Sequence, residues 1–241
     1  MIIELGVAKQ GRINSPDSDE TSEIIERPSG GESIIYCSGK REGQPSKTIS
    51  SIIVNRVLEK IAESFRDSTA IRNVSDQIYR EHSGLISGDL CILSADFQSK
   101  TIVVSRCTDV PVYYYQQGVC DSWQTPAERI GSVKGIHPSI TEIPMVPGTV
   151  VIMLSEGALN AGKNTMEKDE MDDLIFSTAE ESSEFSADHI AEFFLKRAIT
   201  LDSYKPKQDM TIIVMRVCSE SSVFSRKILL TCPVPNYPSI Y

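Results

Sequence analysis

No run of apolar residues in this sequence reaches the roughly 18 to 20 that a membrane-crossing helix needs, so no helical span is predicted. Its six cysteines (Cys37, Cys91, Cys107, Cys120, Cys218, Cys232) include no C-x-x-C pair. Its three histidines (His82, His137, His189) form no H-E-x-x-H. Zinc-type spacings are therefore missing. Isolated cysteines at apolar runs fit a reduced protein better than a disulfide framework. A basic excess is missing too: 24 Lys and Arg stand against 33 Asp and Glu, a net charge of −9. A general nucleic-acid or acidic-membrane binder is excluded, because nothing is left over to neutralise phosphates. Internal repeats, low-complexity linkers and regular βαβ alternation are also lacking.

The opening MIIELGVAKQGR puts apolar residues before basic ones and offers no small-residue cleavage site. It reads as a first strand and not as a signal peptide, and the expected location is cytoplasmic. With 40% hydrophobic residues over 241 positions, one well-buried core is expected. The expected organisation is a single domain over 1–235 with a tail over 236–241, and the prolines of the closing CPVPNYPSIY stop it from continuing a central strand. Much of the acid lies over 167–184 (EKDEMDD and AEESSE), a solvated face or a docking surface for a basic partner.

Periodicity supplies the elements. Strands are predicted at 2–7, 23–26 and 33–37, with Pro28-Ser29-Gly30-Gly31 turning the last two into a hairpin. Over 47–65, Ile49, Ile52, Ile53, Val57, Leu58, Ile61 and Phe65 recur every three or four residues, which predicts a helix with one buried face. A shorter helix follows over 71–82 and stops at Gly84. Strands then occupy 89–96, 101–107, 110–116, 140–145 and 149–154, a helix 187–201, and final strands 210–217 and 223–230. That order predicts an α+β fold of antiparallel sheets with helices packed outside.

Three polar turns adjoin buried runs: Cys37-Ser38-Gly39, Leu154-Ser155-Glu156-Gly157 and Gln208-Asp209-Met210-Thr211. Singly they have bland readings: an ordinary turn, an acid favoured by a helix dipole, and a solvated turn. Their order together resembles the PPM-type (type 2C) serine/threonine phosphatases, and in particular the short bacterial SpoIIE-like branch. Ile24-Ile25-Glu26-Arg27-Pro28, Ser46-Lys47-Thr48-Ile49-Ser50, Val110-Pro111-Val112 and Leu159-Asn160-Ala161-Gly162 add to the resemblance. It implies two stacked antiparallel sheets flanked by helices. It also implies two Mg²⁺ or Mn²⁺ ions on carboxylates, activating a water for attack on phosphoserine or phosphothreonine.

The family's metal positions correspond here to Glu20 (or its neighbour Asp19), Ser38 followed by Gly39, Glu156, and the pair Gln208-Asp209. Ser38 and Gln208 carry no charge where the family has aspartate. Lys40 and Arg41 stand where a small, glycine-rich loop is usual. Two dications about 4 Å apart repel by about 17 kcal/mol at an effective dielectric near 20, which the carboxylates must offset. Two lost charges leave a standard two-metal centre unsupported. The expected cofactor is therefore none, or one weakly held Mg²⁺ or Mn²⁺ on Glu20, Glu156 and Asp209.

Two functions follow. One is a non-catalytic relative that binds a phosphorylated or regulatory protein, with Lys40 and Arg41 as candidate phosphate contacts. By resemblance its partners are of the bacterial anti-sigma or stressosome type. The other is an active Mg²⁺/Mn²⁺-dependent phosphatase with altered ligands. A third reading, an unrelated α+β binding domain, requires a structure without the two stacked sheets.

Overall fold

The computed structural model describes residues 1–13, 15, 17–162, 177, 185–219 and 228–230. Alternation along its strands builds four layers. On β3 (Gly31–Arg41), Ile35 and Cys37 point to one side and Ile34 and Tyr36 to the other, as strand geometry requires. The first pair packs under α1 (Lys47–Ala62) and α2 (Asp67–His82), with Ile49, Ile53, Val57, Ile61 and Ile71. The second pair meets the other sheet through Val151, Met153, Ile213 and Met215.

The sheet under these helices runs β2 (Glu20–Glu26), β3, β5 (Ile86–Asp96), β6 (Thr101–Cys107), β9 (Ser139–Pro144), all antiparallel. The second sheet runs β1 (Ile2–Gln10), β11 (Met210–Cys218), β10 (Val150–Leu154), β7 (Val112–Gln116), β8 (Val119–Trp123), also antiparallel. Its outer face, with Val150, Ile152, Ile212 and Val214, is covered by Ile190 and Phe194 of α4 (Ala187–Leu201). The result is the predicted stack of two antiparallel sheets between helices. Among the described residues, no helix is long and apolar enough to cross a membrane.

Local signals worked where the chain made sharp choices. The Ser46 hydroxyl caps α1 by accepting from the Ile49 N–H, and Ser83 ends α2 in the left-handed region, with Gly84 behind it. One expectation is corrected. Ser38-Gly39 is not a turn after a strand, because β3 runs on to Arg41. It turns at Glu42-Gly43, both at positive φ, into the short β4 (Gln44–Pro45). Gly39 is needed for contact: a Cβ there would stand 2.4 Å from the Ser50 backbone N of α1.

The periodicity missed β8. It is short and half-buried, and it is secured by the Gln117-Gly118 turn and by Trp123 stacked on Tyr114 at 4.3 Å. The acidic segment 167–184, apart from Ser177, and the tail lie outside the described residues. So does the predicted strand 223–230, except for 228–230, which form no strand.

Candidate active site

Three strands present one row of side chains at the mouth of the cleft between the sheets. Glu20 on β2 faces Ser38 on β3, and Ser38 faces Asp89 on β5. Directly paired residues share a face. Here it is the inter-sheet face, because Tyr36, two residues before Ser38, lies in that core. The opposite sheet delivers Ser155 and Glu156 at the end of β10, where the short α3 (Glu156–Leu159) begins, and Asp209 and Thr211 at the start of β11. A Cβ on Gly157 would stand 2.0 Å from the Asp209 carbonyl oxygen, so this glycine lets the two turns touch.

The site residues fall into two adjoining clusters. Glu20 centres the first. The residue is 4% exposed, and its carboxylate accepts from the hydroxyls of Tyr36 (2.7 Å) and Thr211. Burial pushes its pKa up to about 7, against the pull of those two hydroxyls. The ammonium groups of Lys9 and Lys47 both donate to the Glu20 backbone carbonyl. Burial, with Lys47 alongside, lowers Lys9 to about 8. Asp209, 7% exposed, accepts the backbone N–H of Arg12 at 2.8 Å and of Asp19 at 2.7 Å. The Arg12 guanidinium lies 2.7 Å from Asp19 and 3.5 Å from Asp209.

Asp89 centres the second cluster. Its Oδ1 accepts from Arg129 Nε at 2.9 Å and from the Thr108 hydroxyl at 3.0 Å. Its Oδ2 is buried without a hydrogen-bond partner, 3.7 Å from Lys40 Nζ. Lys40 Nζ stands at the same distance from Glu156 Oε2. Ser38, Asp89, Ser155 and Glu156 border a cavity of about 10 Å³, room for about one water.

The structure thus gathers Glu20 with Asp19 and Asp209, and Ser38 with Lys40 and Glu156. Gln208 and Arg41 are exposed. The sequence reading missed Lys9, Arg12, Tyr36, Lys47, Asp89, Arg129 and Thr211. A signal existed for Thr211, which closes the polar turn Gln208-Asp209-Met210-Thr211. Another existed for Asp89, an acid heading an apolar strand.

Two dications do not fit this set. Asp19, Asp89, Glu156 and Asp209 already pair with Arg12, Lys40 and Arg129, and Lys9 and Lys47 add positive charge at the Glu20 backbone carbonyl. Both Asp209 oxygens are occupied by N–H donors. The three side chains on which a single cation was expected, Glu20, Glu156 and Asp209, do not come together as one group either. Among the described residues, no three Asp, Glu, His or Cys side chains converge as a metal-holding group. The reason is that Glu156 is drawn to Lys40, while Glu20 is held by Tyr36 and Thr211.

Comparison with known proteins fits this frame. The model of the family "Stage II sporulation protein E (SpoIIE)" matches residues 42–218, and the chain belongs to that family. The match includes Glu156, Gln208 and Asp209 and begins after Glu20, Ser38 and Lys40. A structure of the PP2C phosphatase domain of SpoIIE from Bacillus subtilis, with a fragment of its regulatory domain, is similar at TM-score 0.76 and 15% identity. The similarity covers 91% of this chain and 64% of that one. The phosphatase domain alone, from the same organism, is similar at TM-score 0.69 and 16% identity, covering 97% and 98%. The serine/threonine phosphatase Stp1 from Staphylococcus aureus is similar at TM-score 0.69 and 10% identity, covering 91% and 96%. No curated protein matches. The fold is that of the PPM phosphatases.

Proposed function

We propose that this SpoIIE-family chain is a phosphatase scaffold without phosphatase turnover, acting in the cytoplasm as a regulatory module that binds a phosphorylated or regulatory protein. The observation that carries this is the internal neutralisation of the site. Arg12 and backbone N–H groups hold Asp209, and Lys40 and Arg129 hold Glu156 and Asp89. Two-metal hydrolysis needs carboxylates free to ligate. The partner class, an anti-sigma-factor antagonist or a stressosome protein of bacterial signalling, follows from the family. Arg41, exposed at the end of β3 beside the Glu42-Gly43 turn, is the side chain offered to a partner's phosphate, since Lys40 faces inward.

The test is turnover of p-nitrophenyl phosphate and of a phosphoserine peptide with saturating Mn²⁺. No metal-dependent release of phosphate is expected. Turnover that Asp209→Asn abolishes overturns the reading in favour of a phosphatase with altered ligands. Phosphate capture is tested by calorimetry with phosphorylated and unphosphorylated candidate partners, and equal affinities remove it.

A further inference from the structure

Asp89 has an unusual imbalance between its two oxygens. Oδ1 is fully engaged by Arg129 and Thr108. Oδ2, on a side chain 5% exposed, has no hydrogen bond, and Asp89 borders the small cavity shared with Ser38 and Glu156. A buried carboxylate oxygen left in this condition is costly unless a cation stands near it. Lys40 stands 3.7 Å from it, too far for a hydrogen bond, and is equally far from Glu156. The ammonium therefore sits between two carboxylates as a point charge.

We propose that Asp89, Ser38 and Glu156 form a one-cation site, shifted one strand from Ser38, which Lys40 occupies as a tethered cation. A hard divalent ion and this ammonium exclude each other there. The register carries the shift: Asp89 is the direct cross-strand partner of Ser38, so the charge absent at Ser38 reappears on the neighbouring strand. The chemistry of the set agrees. Two carboxylates and a hydroxyl are hard oxygen donors of the kind that Mg²⁺ or Mn²⁺ takes, and the space they border holds about one water. Lys40 also links the two sheets, since it leaves β3 of one and meets Glu156 at the end of β10 of the other.

The experiment titrates Mn²⁺ into the full chain and follows free Mn²⁺ by electron paramagnetic resonance. Wild type, Lys40→Met and Lys40→Met/Asp89→Asn are compared, with circular dichroism confirming the fold of each. Lys40→Met is expected to bind one Mn²⁺ at least about tenfold more tightly than wild type. Asp89→Asn should return the double variant to the wild-type value. A Lys40→Met protein that binds no better, or a gain that survives Asp89→Asn, overturns the proposal. Should Lys40→Met fail to fold, Lys40→Gln, neutral and hydrogen-bonding, is read by the same criteria. The inference rests on the reading that no two-metal centre forms, and the two fail differently. Metal-dependent turnover by wild type defeats that reading, whereas an unchanged Mn²⁺ affinity in Lys40→Met defeats this one.

Discussion

The strand β3 takes part in two regions governed by opposite rules. Along Ile35 and Cys37 it packs beneath α1 among aliphatic side chains that are wholly buried. Two or three residues on, at Ser38 and Lys40, it enters a mouth crowded with acids and cations. In the first region the attraction is non-directional and scales with buried area, so any side chain of suitable size serves. In the second, every oxygen needs a donor and every ammonium an acceptor, so one substitution reorganises its neighbours. The scaffold is therefore held by residues that do not depend on the chemistry at its end. The site's charges can be exchanged for others while the sandwich stands.

The largest effect should come from breaking an apolar layer that obeys the first rule, the one under α4 on the outer face of the other sheet. Phe194 is fully buried between α4 and the outer face of the β1–β11–β10 sheet. Phe194→Ala removes a ring whose contacts cannot be replaced by collapse alone, and a loss of about 3–5 kcal/mol is expected. Urea unfolding followed by circular dichroism measures it. A loss below about 1 kcal/mol would mean that α4 is not a structural layer.

A smaller effect, opposite in character, tests the second region. The folded-state pKa of Glu20 is raised by burial from 4.5 to about 7. A carboxyl raised in this way binds its proton more tightly folded than unfolded. Its contribution is most favourable below pH 4.5 and is lost as pH rises towards 7, by about 3 kcal/mol in all. Glu20→Gln has no proton to lose, so the difference between wild-type and variant stability should change by about that amount across pH 4.5–7. Lys9, lowered to about 8, has the reverse sign: its penalty is relieved as pH rises from 8 towards 10.5. Parallel wild-type and Glu20→Gln profiles between pH 4.5 and 7 would show that the carboxyl titrates normally.

The same division explains what was legible in the sequence. Ile49, Ile53, Val57 and Ile61 announce their helix because burial imposes a period on the chain. The β2–β3 hairpin is announced by Pro28-Ser29-Gly30-Gly31. The family's acidic positions were legible as an order of motifs, and the structure brings Glu20 and Asp209 into one cluster. The neutralising partners were not legible. Lys9 precedes Lys47 by 38 positions and reaches the same carbonyl only through the fold. Asp89 gains its meaning from the register that sets it against Ser38. Pairing of charges across strands leaves no period in a sequence. Ser38-Gly39 was read as a turn because a small polar pair resembles one, whereas the glycine serves the close approach of α1.

The smallest expected effect is the sharpest test of the contrast, because a null result is the outcome expected. A ligand that binds only the folded state at 100 times its Kd stabilises by about 2.7 kcal/mol, which shifts the melting point of a chain this long by several degrees. For the wild-type chain, 1 mM Mn²⁺ or an excess of chelator should leave the melting temperature within about 1 °C. Lys40, Arg12 and Arg129 already supply the positive charge that a metal would bring. Differential scanning calorimetry at low ionic strength, with Ca²⁺ as a control for general charge screening, reads this directly. A Mn²⁺-specific rise of several degrees would mean that Arg12 and Lys40 yield to the metal. The mouth of the cleft would then follow the rule of its family rather than the one its side chains now obey.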